Sequence, residues 1–226
     1  MNVILFGATG MVGAGVLREC LKDDRITSVL SVSRVGTGVA HPKLREHIRS
    51  DFLDFEDARS HFSRAGACFF CLGVTAVGKT EAEYHRLTYD VTISAATMLA
   101  EVNPGMTFCY VSGAGTDSSE RGRTMWARVK GKTENQLLRL KLRTFLLRPG
   151  YIQPLGVKSK TPVYRVFYQV MGPLYPLLRV LAPGLVSSNE SIGRCMIELA
   201  TGIYPSNVLE VRDINQLGSK GTRAQR

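Results

Sequence analysis

The sequence has no long apolar run free of charge and no cysteine framework, and each absence removes a class of protein. Its longest apolar stretch, Val163 to Val186, is broken by Arg165, Arg179 and three prolines, so it does not read as a spanning helix, which needs about 20 apolar residues. The five cysteines, Cys20, Cys68, Cys71, Cys109 and Cys195, are odd in number and mostly sit in apolar runs, which suits reduced, buried thiols. Cys68 and Cys71 bracket Phe69-Phe70 in a strand-like run, where residues three apart face opposite sides, so this C-x-x-C is read as structural. The few histidines, His41, His47, His61 and His85, share no metal-ligand spacing, and no metal is expected. No basic leader with an apolar core and a small-residue cleavage site is visible, which argues against secretion, and a cytoplasmic protein is expected. Acids are scarce as well: 19 Asp plus Glu face 29 Lys plus Arg, a formal charge of +10. That excess excludes a neutral surface and leaves dinucleotides, nucleic acid and anionic membrane open as partners.

What is present is an alternation of short apolar runs with longer helical ones, the signature of βα units and a parallel sheet. Strands are expected at Asn2–Phe6, Ser28–Ser33, Leu44–Arg49, Ala67–Leu72, Thr107–Ser112, Thr144–Arg148 and Asn207–Val211. Helices are expected near Met11–Leu21, Glu56–Ser63, Glu81–Val102, Thr124–Leu140 and Glu190–Thr201, the third opened by a capping box of Thr80 and Glu83. The fold class is therefore a doubly wound α/β parallel sheet of Rossmann type, built as a single domain over 1–217. The Pro- and Tyr-rich residues 151–185 interrupt it as a substrate-side lid, and 218–226 form a flexible basic tail. Residues 158–181 could instead touch a membrane, but an apolar cover over a small apolar substrate, or a surface for a protein partner, is the preferred reading.

Two glycine-rich loops follow strands. Gly7-Ala-Thr-Gly10-Met-Val-Gly13 joins the first strand to the first helix, where glycines permit a tight turn, close approach to a pyrophosphate and close helix–strand packing. The second strand ends at Ser33-Arg34, about twenty residues on, where an acidic residue would bond the ribose 2′-hydroxyl of NAD and an Arg accommodates a 2′-phosphate. Arg34 thus favours NADP(H) over NAD(H). The second loop, Gly73 to Thr80, matches G-x-x-x-x-G-K-[ST], a triphosphate cradle in which Lys79 would reach the phosphates and Thr80 a magnesium ion. No other strand ends in the Asp such a metal requires, so the dinucleotide reading is preferred and the triphosphate loop is kept as an alternative.

Together these motifs resemble the short-chain dehydrogenase/reductase superfamily in its atypical G-x-x-G-x-x-G branch, most of all the oxidoreductases related to the HIV Tat-interacting protein. The matching features are Gly7 to Gly13, Arg34, Asp51-Phe52, Cys71-Leu72-Gly73, Val111 to Gly115, Lys130 and Arg148-Pro149-Gly150. The resemblance implies cofactor contacts from Gly7, Thr9, Gly10, Met11, Val12, Gly13, Ser33, Arg34, Asp51, Phe52, Cys71, Leu72, Gly73, Lys130, Pro149, Gly150 and Tyr151. It also implies catalytic positions at Ser112, Trp126 and Lys130. Such enzymes pair Tyr and Lys four residues apart on one helical face. This chain has Trp126 four residues before Lys130, and an indole offers only an N–H donor. Tyr84, Tyr89, Tyr110 and Tyr151 are conceivable replacements.

Two readings follow: an NADP(H)-dependent reductase of an apolar carbonyl, or a non-catalytic scaffold that senses NADP(H). Much of the charge lies between Arg121 and Arg148, where Glu134 is the only acid. No nucleic-acid-binding module accompanies it, so it is read as a face that steers an anionic dinucleotide.

Overall fold

The computed structural model describes residues 1–156, 182 and 184–220. Most of the expected lid, including the candidate membrane-touching residues 158–181, and the end of the basic tail lie outside the described residues. No helix among those described is long and apolar enough to cross a membrane.

Seven parallel strands form the central sheet in the order β3-β2-β1-β4-β5-β6-β9. They are β1 (Asn2–Phe6), β2 (Ser28–Ser33), β3 (Leu44–Ile48), β4 (Ala67–Phe70), β5 (Thr107–Val111), β6 (Arg143–Arg148) and β9 (Val208–Glu210). Because both faces are covered, the central strands carry apolar side chains at consecutive positions instead of alternating with polar ones. Val3 and Leu5 of β1 point to one layer with Leu17, Cys20, Ile192 and Met196. Ile4 and Phe6 point to the other with Phe62, Ala95, Leu99 and Leu137. The first layer contains α1 (Met11–Lys22), α6 (Asn189–Thr201) and α7 (Val211–Lys220); the second contains α2 (Arg59–Phe62), α4 (Val91–Val102) and α5 (Met125–Leu137). The order reverses between β1 and β4, whose loops diverge to opposite layers, and this switch point is where open α/β sheets leave a ligand crevice.

Cys68 packs in the second layer and Cys71 against the first, and all five cysteines are free. Burial pushes the Cys68 and Cys71 thiols up. A nucleophilic thiolate is thereby disfavoured at both positions, as expected for structural cysteines.

Three local features depart from expectation. The helix expected at Glu81–Val102 is divided: α3 (Glu81–His85) passes into α4 through a π-turn, Arg86–Asp90. A two-stranded parallel pair, β7 (Tyr151–Gln153) and β8 (Val186–Ser188), stands apart from the main sheet. The basic tail was expected to be flexible from Gly218, but α7 runs to Lys220. It buries Val211, Ile214, Leu217 and Gly218 along one stripe, and a Cβ on Gly218 would lie 2.5 Å from the Ser191 carbonyl.

The start of α1 is braced by the far end of the chain. The buried Asn189 side chain accepts from the Leu155 N–H at 3.0 Å and donates to the carbonyls of Leu155 at 3.3 Å and Met11 at 3.4 Å. It fits only because position 15 is glycine, where a Cβ would lie 2.5 Å from the Asn189 side chain.

Candidate functional site

The strand register brings the candidate loops level. Phe6 pairs with Val32 of β2 and with Phe70 of β4, so the loops beginning at Gly7, Arg34 and Cys71 leave the sheet at one edge. Gly7 has φ +80, and a Cβ there would lie 2.7 Å from the Leu72 nitrogen and 2.8 Å from the Cys71 carbonyl. A Cβ on Gly13 would lie 2.1 Å from the Gly7 carbonyl oxygen. The first glycine therefore makes the turn, and the third lets α1 sit on it. Gly10 caps α1 without any side-chain hydrogen bond, and no acid occupies the first turn. Such an end has free N–H groups and a partial positive charge, a chemical fit to a pyrophosphate.

Beyond β2, β3 and β4 lies a cavity of about 420 Å³, lined by Arg34, Asp51, Phe52 and Leu72 of the expected site, with Lys79, Arg86, Leu87 and Val91. Phe52 is fixed edge-on to Phe6 and Phe55, at ring separations of 6.5 and 6.2 Å. The Asp51 carboxylate accepts from the Leu53 N–H at 2.8 Å. Ser33 faces away from an open role, since it is buried and donates its hydroxyl to the Val35 carbonyl at 2.8 Å.

A second group forms beyond β5 and β6. Lys130 Nζ donates to the Ser112 carbonyl, and burial lowers its pKa to about 8 despite the opposing charge of Glu134. The Ser112 hydroxyl donates to the Leu147 carbonyl at 3.1 Å. The Trp126 ring lies against the loop that follows: Cβ atoms on Gly113 and Gly115 would be 3.9 and 3.7 Å from it. The Pro149 carbonyl accepts from Ala114 N–H at 2.8 Å, which ties the two strand ends together. A Cβ on Gly150 would meet the Leu185 carbonyl at 2.4 Å, and Tyr151 N–H donates to that same oxygen at 2.9 Å.

The four tyrosines separate by environment. Tyr84 and Tyr110 are buried, and desolvation raises both phenols. Tyr89 stacks on His85 with ring centroids 4.6 Å apart and carries Lys132 over its face. Tyr151 donates its hydroxyl to Gln153 Oε1 at 2.7 Å.

The second glycine-rich loop does not form a metal-bearing cradle. The Thr80 hydroxyl donates to Glu83 Oε2 at 2.8 Å, the same oxygen accepts from Thr80 N–H at 2.8 Å, and Glu83 N–H donates back to Thr80 Oγ1. This is the expected capping box, and it engages the oxygen that a magnesium ion would need. The steering face between Arg121 and Arg148 is also reduced. Arg128 pairs with Glu81 at 2.6 Å, Arg148 with buried Glu134 at 2.5 Å, and Arg143 binds Thr107 and three carbonyls near the end of α6. Cations at the cavity come from elsewhere, and Lys79 and Arg86 were not anticipated there. Lys79 was visible in the sequence only as part of the competing motif, and Arg86 lay within a helix expected to be regular.

Solved structures share this fold. Bordetella bronchiseptica WbmF in complex with NAD+ matches 99% of this chain and 78% of its own with TM-score 0.68 at 15% identity. UDP-glucose 4-epimerase from Thermotoga maritima, solved with UDP-glucose, matches 97% of this chain and 82% of its own with TM-score 0.63 at 14% identity. At that identity the likeness defines the fold, a Rossmann-like α/β fold, and nothing narrower. No family model matches. Among curated proteins, the mitochondrial protein fmp52 of Emericella nidulans is 26% identical over 206 residues, 87% of this chain and 85% of its own. The mitochondrial protein fmp52-2 of Neosartorya fischeri is 27% identical over 224 residues, 95% and 94%. These names overturn the cytoplasmic expectation. That expectation rested on the lack of one export signal, and excluding one destination does not select another.

Proposed function

We propose that this chain binds a nicotinamide dinucleotide, NADP(H) in preference to NAD(H), and acts as a reductase of an apolar carbonyl-type substrate. The observation that carries the reading is the glycine cradle: Gly7 and Gly13 are each closed against backbone, while Gly10 opens an uncapped helix end. Those residues fit the pyrophosphate, Phe52 and Leu72 offer an apolar slot for adenine, and Arg34 stands where a 2′-phosphate would be met. The mitochondrial names of the relatives support a mitochondrial setting.

When bound, a reduced nicotinamide supplies a hydride. This chain must supply the proton. Trp126 cannot, and two of the four tyrosines are sealed in the core. Lys130, with its ammonium shifted to about 8, is the group beside Ser112 that holds a proton at neutral pH and releases it readily. Ser112, whose own hydroxyl faces the sheet, contributes its carbonyl to hold Lys130 in place.

Trp126 favours a second reading, a scaffold that binds the dinucleotide without turnover, because its ring covers the loop where a phenol would act. Single-turnover oxidation of NADPH against a panel of apolar aldehydes, ketones and enones separates the two. The reductase reading expects oxidation whose rate falls as pH rises through about 8, where Lys130 loses its proton, and loss of that limb in Lys130→Met. No oxidation by the wild type, with activity gained in Trp126→Tyr, would select the scaffold.

A further inference from the structure

The dinucleotide reading leaves the second glycine-rich loop without a role, although the loop lines the cavity beyond β2, β3 and β4. Two of its features look outward. Gly73 and Gly78 have no atom within 4 Å of where a Cβ would stand, so neither glycine serves packing. The Lys79 N–H donates to the Ala76 carbonyl at 3.2 Å, a turn that presents Lys79 at the cavity wall. Arg86 reaches the same cavity from the first position of the π-turn, with Leu87 beside it. An extra residue in a helical turn changes which side chains share a face, and such turns recur at functional sites.

Three cations therefore line one cavity: Arg34 from the end of β2, Lys79 from the second loop and Arg86 from the π-turn. Among the described residues, no side-chain hydrogen bond or ion pair within 4.0 Å engages any of the three, although the Lys79 charge adds to the lowering of the Glu83 pKa. The cavity also holds two carboxylates, and both are engaged locally. Asp51 accepts from Leu53 N–H at 2.8 Å. Glu83 accepts from the Thr80 N–H and hydroxyl, which hold its pKa below the usual value. Some basic groups elsewhere are paired closely, as in Arg25 with Asp23 and Arg148 with Glu134; these three instead share one cavity. Open cations around an apolar slot call for a dianion attached to a flat apolar group.

We propose that Lys79 and Arg86 complete, with Arg34, a three-cation site for a phosphate on the ribose 2′-oxygen of adenosine. The Gly73–Thr80 loop then serves as the far wall of that site and not as a triphosphate cradle. The proposal rests on the dinucleotide reading and extends it from one phosphate-binding residue to three. Lys79 and Arg86 are specificity residues: they discriminate phosphate from hydroxyl and take no part in hydride transfer.

The experiment uses fragments that lack nicotinamide, so it is independent of turnover. Calorimetry on the full chain would measure 2′,5′-ADP and 5′-AMP binding to the wild type, Lys79→Ala, Arg86→Ala and Lys79→Arg. The wild type should bind 2′,5′-ADP at least tenfold more tightly than 5′-AMP. Each alanine variant should lose about tenfold for 2′,5′-ADP, as expected for one charge-assisted contact, and stay within twofold for 5′-AMP. Lys79→Arg should recover most of the loss. If 5′-AMP binds and 2′,5′-ADP is no tighter, or if the alanine variants weaken both ligands equally, the three-cation site is wrong and the dinucleotide reading survives. If neither NADPH nor NADH binds the wild type, the dinucleotide reading fails and takes this proposal with it. Magnesium-ATP binding tighter than 2′,5′-ADP overturns the proposal in favour of the triphosphate loop.

Discussion

The two glycine-rich loops leave adjacent strands and both lead to helices, yet their glycines answer different needs. In the first, a side chain at Gly7 or Gly13 would strike backbone within 3 Å. In the second, Gly73 and Gly78 face open space, and the loop is secured by the side chains of Thr80 and Glu83. One loop is a packed piece of the fold. The other is a surface element carrying a lysine. A glycine motif thus acquires meaning from what a Cβ would touch, and spacing along the chain does not supply that.

The comparison can be broken most directly at Gly13. Gly13→Ala places a methyl 2.1 Å from the Gly7 oxygen, so α1 must move; overpacking against backbone should cost at least about 2 kcal/mol despite the better helix propensity of Ala. Denaturant unfolding reads this, and wild-type stability would mean that the helix yields cheaply. At Gly78, φ is +74 with free space around it. Gly78→Ala should therefore cost only the left-handed strain, about 1 kcal/mol, and Gly73→Ala should stay within about 0.5 kcal/mol.

Acid sharpens the contrast further, with the smallest effect on the whole molecule. Hydrogen bonds from Thr80 hold the Glu83 pKa below 4.5, so the native carboxylate is favoured. Its contribution is present above the unfolded value and is lost as pH falls through the lower, folded one. The Thr80 and Glu83 amide resonances should titrate together with a midpoint below 4.5. Those of Gly10 and Ala14, held by backbone bonds, should not follow. Joint movement of all four would show that the loops are coupled.

Much of the scaffold was legible because its signals are local. β1 and β2 match their expected limits, since an apolar run bounded by turn residues marks a buried strand, and the Thr80–Glu83 box was legible from two residue types at one spacing. The pair β7–β8 was not legible, because three-residue strands separated by a long stretch of chain carry no periodicity. Nor was the order of α7 beyond Leu217: Gly218 looked like the start of a frayed tail, whereas its missing side chain is what lets α7 meet Ser191. At the site, the first loop declared itself by position after a strand. Arg86 did not, because no local spacing marks the π-turn that carries it, which lies between α3 and α4 and against α5. Trp126 was legible as a substitution, but its consequence required seeing the ring against Gly113 and Gly115.

The bracing of α1 by Asn189 has a kinetic consequence. The contact from Asn189 to the Met11 carbonyl spans 178 positions, and contacts so distant in sequence form late, after the loop-closure entropy of the intervening chain has been overcome. The N-terminal turn can acquire its shape early from β1 and α1. Its final support must wait until nearly the whole chain has been synthesised. A nascent chain should therefore gain tight ligand binding near the end of folding, and a ligand would stabilise the finished molecule more than it would guide the growing one.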